Sequence, residues 1–69
     1  HVIEAVHAYY DVLLGWYMEE HKKEKHKELS DNVYYEEIKA LIDAMNVLRK
    51  YLGWDTIKLS EEVSWRLEG

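Results

Sequence analysis

Glu4, His7 and Asp11 are the residues of this chain whose types and spacing best suit chemistry. On a helix they fall within about 60° of one another, so a carboxylate, an imidazole and a second carboxylate stack on successive turns of one face. Glu-x-x-His is the ligand spacing of di-metal carboxylate bundles. Such a centre needs two copies of the motif and further glutamates. A homodimer would have to provide the second copy, with Asp43 of a neighbouring helix close by. The plainer reading is a solvent stripe on a helix whose other faces are buried. A single copy of a short spacing favours that stripe, so no metal or other cofactor is expected.

The remaining candidates are weaker. His21 and His26 lie among lysines, and Glu24 gives His21 a His-x-x-Glu partner, but the local positive charge opposes a cation. There is no cysteine and so no thiolate nucleophile. Three scattered glycines form no phosphate-binding loop, and the serines have no His–acid arrangement around them. The reading is therefore not an enzyme. Fourteen acids against nine Lys plus Arg leave a net charge of -5, which disfavours nonspecific nucleic-acid binding or anionic-membrane binding. Residues 59–67 (LSEEVSWRL) faintly resemble the opening helix of a helix-turn-helix. The likeness covers nine generic residues, no recognition helix is expected after it, and the acids have the wrong sign for a groove. A DNA-binding fragment remains a second alternative behind the metal bundle.

The elements that would position these residues are helices. Positions 2–18 are apolar apart from Glu4, His7, Asp11 and Gly15. Their apolar arc is about 240° wide, against roughly 100° for an ordinary surface helix. Gly15 reads as a close helix approach. Positions 33–52 repeat the design. Glu36, Lys39, Asp43, Asn46 and Lys50 form one polar stripe. Ile38, Leu41, Met45, Leu48 and Leu52 form one apolar seam, and Ala40, Ala44, Val47 and Tyr51 a second. Ser30, Asp31 and Asn32 offer N-cap chemistry before this helix, and Gly53 a terminator after it.

Between them, residues 19–28 (EEHKKEKHKE) contain no apolar side chain. Their helix propensity favours continuing the first helix to about Leu29, with a tight turn at Ser30, Asp31 and Asn32. Antiparallel pairing then sets Ile38 opposite Glu24 and Leu41 opposite His21. The other option ends the helix near Glu20 and leaves a charged loop of about a dozen residues, uncommon in a compact domain. The tail reads as a short helix at 60–68 with Ser60 as N-cap, in preference to a hairpin.

These elements predict one small all-α domain over 1–69, a helical hairpin plus a short C-terminal helix, assembling into an oligomeric bundle. Two arcs this wide exceed what so short a chain can hide. The expected function is a small interaction module that self-associates, with a dimer as the first guess, or that binds a heterologous protein partner through apolar helix faces. The expected interface is Val6, Tyr10, Leu13, Tyr17, Ile38, Leu41, Met45 and Leu48, with Trp54 and Trp65 clamping or capping the bundle. No membrane span is expected, since Glu4, His7 and Asp11 interrupt the longest apolar stretch, and the expected compartment is the cytoplasm.

Overall fold

The computed structural model describes residues 2–23 and 28–68, the side chains of residues 2 and 3 excepted. It is all-helical. Helix α1 runs Val2–Lys23, a 3₁₀ turn covers Leu29–Asp31, α2 runs Tyr35–Tyr51 and α3 runs Leu59–Glu68. Among the described residues no helix is long and apolar enough to cross a membrane.

The core follows helical spacing. Tyr10, Leu13, Leu14, Tyr17 and Met18 face it from α1, and Ile38, Ile42 and Met45 from α2. Those are i, i+3, i+4, i+7 rows, the seam by which two helices pair. Val63 of α3 closes one side, and the Tyr10 hydroxyl donates to Glu62 Oε1 at 3.2 Å beside it. The tail is thus a helix beginning one residue earlier than expected. Ser60 lies within its first turn, and the Lys58 carbonyl accepts from the Glu62 N–H at 3.1 Å.

The path between α1 and α2 differs from expectation. A helix continued to Leu29 would carry that residue about 18 Å along the axis beyond Tyr17. Instead the Tyr17 hydroxyl donates to the Leu29 carbonyl at 2.8 Å. Glu28 is already extended, with φ −65° and ψ 157°. The helix therefore does not continue to Leu29, whereas the other option, a helix ending near Glu20 followed by about a dozen connecting residues, lies close to what is seen: α1 ends at Lys23 and α2 begins at Tyr35, with residues 24–27 outside the described residues. Ile38 packs in one cluster with Tyr10, Leu13, Leu14 and Tyr17, the apolar half of α1, and the Glu24 expected opposite it lies outside the described residues.

Two asparagines hold the connections, and they are the only two in the chain. Buried Asn32 donates from Nδ2 to the Tyr17 carbonyl at 2.9 Å and accepts at Oδ1 from the Tyr34 N–H at 2.9 Å. It staples the 3₁₀ turn to α1, and α2 has no side-chain cap. Asn46 accepts from the Ile57 N–H at 2.7 Å and donates to the Ile57 carbonyl at 2.9 Å. That pair ties the 54–58 linker to α2.

The end of α2 is a Schellman motif. The Trp54 N–H bonds the Arg49 carbonyl at 2.8 Å, and the Gly53 N–H bonds that of Lys50 at 3.1 Å. Gly53 stands at φ 77°, a left-handed conformation costing other residues about 1–2 kcal/mol. Gly15 is the opposite case. A Cβ there would meet nothing within 4 Å, so no close approach requires the glycine. In dilute solution Gly15→Ala should raise the melting temperature by several degrees, about 1 kcal/mol. Gly53→Ala should lower it by at least as much. Thermal melts followed by circular dichroism check both, and shifts of the same sign would contradict these assignments.

Candidate interaction surface

The eight residues expected at an interface divide when placed in the fold. Tyr10, Leu13, Tyr17, Ile38 and Met45 are buried in the subunit's own core. Val6 and Leu41 are half-buried against that core, and Leu48 is 44% exposed. The reason is geometric. An apolar arc of about 240° has two sides, and a helical hairpin consumes the side on which its two seams meet. Any surface left for a partner is built mainly from other residues.

On α1 that surface is the face turned away from the core. Tyr9, Val12 and Trp16 lie there with Ala5 and Ala8, one and two turns apart. Val12 is 54% exposed and Trp16 is 52%. Ala8, Tyr9, Val12 and Trp16 together line one shallow concavity. The Trp16 indole is braced from one side by the Tyr34 ring, 6.0 Å away between centroids. On α2 the second seam, Ala40, Ala44, Val47 and Tyr51, is exposed along its whole length, with Tyr51 at 89%. Glu37 and Leu48 lie beside it.

A third patch gathers at the end of α2. Val6, His7, Met45, Leu48, Arg49, Leu52 and Trp54 line a small cleft. Trp54 is held there by the Schellman turn and by the Arg49 guanidinium, 5.6 Å from the ring centroid. Arg49 Nε also donates to the Asp55 carbonyl. Trp54 therefore finishes α2, whereas Trp65 stands exposed on α3.

The chemical candidates do not converge. Among the described residues no group of three His, Asp or Glu side chains could hold a metal ion. Glu4 and Asp11 are exposed, and His7 lines the cleft with Arg49 and Trp54. A groove between α2 and the linker is lined by Lys39, Asp43, Asn46 and Ser60 among others. There Lys39 pairs with Asp43 at 3.3 Å, and the Asn46 amide is committed to Ile57. No activated nucleophile results.

Burial perturbs two phenols. Tyr17 is pushed up to about 12, chiefly by burial and next by the neighbouring Tyr35. Tyr10 is raised further, again chiefly by burial, then by the charge of Glu62 and the hydrogen bond to it. Both phenols are structural donors that hold their protons tightly, the reverse of an acid–base catalyst.

Sequence reasoning missed two things here. Locally Asn32 reads as a cap candidate and Asn46 as part of a polar stripe, and no local pattern marks an amide that will meet backbone 11 to 15 residues away. The outward face of α1 was legible only as half of a wide arc. No protein-family model, curated protein or solved structure matches this chain.

Proposed function

We propose that this chain is a small non-enzymatic helical interaction module that associates with copies of itself through the apolar helix faces its own hairpin leaves uncovered. One observation carries the reading. Both long helices bear apolar residues on the side opposite the core, Tyr9, Val12 and Trp16 on α1 and Val47 and Tyr51 on α2. Each fully buried Leu- or Val-sized side chain is worth about 1.5–3 kcal/mol, so two uncovered rows favour association strongly enough to meet its entropic cost. Contiguous exposed rows of this kind mark interaction sites more often than scattered single residues do.

Sedimentation equilibrium across the micromolar range tests the proposal. A concentration-dependent mass above 8.3 kDa is expected. Val12→Glu, on the outward face, should return the chain to a monomer while leaving the helical dichroism intact. Leu41→Glu should instead unfold it, since Leu41 packs against the core. A strict monomer throughout that range would defeat the reading in favour of a heterologous partner or none.

A further inference from the structure

We infer that α3 is a strap with Asn46 as its latch: residues 56–68 leave the hairpin and return as one unit while α1 and α2 stay paired. The holds on the three helices are unequal. Eight of the nine core side chains among the described residues belong to α1 and α2, and Val63 is the one that α3 supplies. Ile57 and Leu59 pack beside that core only half-buried, and Trp65 and Leu67 of the strap are exposed. The hairpin also has polar bonds of its own, from Asn32 to the Tyr17 carbonyl and from Tyr17 to the Leu29 carbonyl. An element with few buried apolar contacts opens at a lower free energy than the rest of the fold.

Opening is all-or-none for a reason of length. Helix α3 has ten residues, and a helix shorter than about 12–15 is marginal in water by itself. Off the hairpin it melts, so undocking and loss of helix are a single event. Two polar contacts hold it down. Asn46 grips both backbone polar groups of Ile57, at the entry to the strap, and the Tyr10 hydroxyl reaches Glu62 beside Val63. Both belong to the closed state alone. Trp54 and Asp55 stay behind with α2, because the Arg49 carbonyl, guanidinium and Nε hold them there. The strap therefore turns at residues 55–56, and its departure bares Tyr10 and the part of the core that Val63 closes. The strap closes within one chain and does not depend on the self-association proposed above.

Native-state hydrogen exchange of the full chain in dilute solution, read by mass spectrometry, tests this. Amides of α3 should be protected at least about tenfold less than those of residues 13–18 and 42–48. Two variants separate a strap from a fold that opens all at once. Tyr17→Phe removes a bond that the open state keeps. It should lower the protection of α1 and α2 about fivefold, the scale of one hydrogen bond, and leave that of α3 unchanged. Asn46→Ala removes bonds that only the closed state has, so it should lower protection in all three helices by one common factor, about tenfold. Equal protection of the three helices in the unaltered chain, or an α3 that loses protection together with the hairpin in Tyr17→Phe, would overturn the strap. An α3 whose exchange is unmoved by Asn46→Ala would overturn the latch.

Discussion

Ile38→Ala is expected to leave this chain largely unfolded at room temperature. Ile38 is 0% exposed and packs in a core that, among the described residues, comprises nine buried apolar side chains drawn from all three helices. Removing a buried isoleucine side chain down to alanine costs about 2–5 kcal/mol, the transfer loss plus the cavity left behind. A domain of under 80 residues without a disulfide holds about 3–5 kcal/mol from its core. The two quantities are the same size, so one truncation cancels the fold. The helices would not survive separately, because most of their stability comes from the packed face. Far-ultraviolet dichroism and urea unfolding read the outcome. A cooperative transition weakened by less than about 1 kcal/mol would mean that the core is not where Ile38 sits. Val47→Ala is the matched control, since Val47 is 70% exposed and its loss should scarcely move the midpoint of a dilute sample.

Alkali should unfold the chain steeply between about pH 10 and pH 12. Below pH 10 the Tyr10 and Tyr17 phenols are neutral in both the folded and the unfolded chain, and their contribution is fully present. Above it the unfolded chain sheds these protons, while the folded chain keeps the one on Tyr17 up to about pH 12 and the one on Tyr10 beyond that. Unfolding then releases protons, so stability falls as pH rises, by up to about 1.4 kcal/mol per pH unit for each tyrosine. Two such residues across two pH units approach the stability a core of this size provides. Phenolate absorbance and far-ultraviolet dichroism, followed together, should show ionisation and loss of helix in one step. Tyr17→Phe gives the sharper check. It forfeits the hydrogen bond to Leu29 and is weaker at neutral pH, yet it should lose stability less steeply above pH 10. An equal slope in the variant would show that Tyr17 ionises as easily folded as unfolded.

Both expectations turn on which residues the fold buries, and here the sequence was only partly informative. The amphipathic rows at 33–52 and the acid-first pattern near Ser60 announced α2 and α3 within a residue or two at each end. Gly53 announced its left-handed turn. The site was less legible. Tyr10, Leu13, Tyr17, Ile38 and Met45 belong to the richest seams, and for that reason the hairpin takes them for itself. Tyr9, Val12 and Trp16, on the other side of the same arc, carry no local mark that distinguishes an outer face from an inner one.

Helix content, the excess of apolar circumference and the absence of thiol chemistry follow from residue types and their 3.6-residue period, and both are properties of the chain itself. Where α1 gives way to the reversal, which of two apolar sides faces inward, and what Asn32 and Asn46 grip were decided only when the helices met. Each depends on the offset of α2 along α1. That offset is set by the fit of Tyr17 against Leu29 and of Ile38 into the α1 seam, contacts between residues far apart in sequence that no local periodicity encodes.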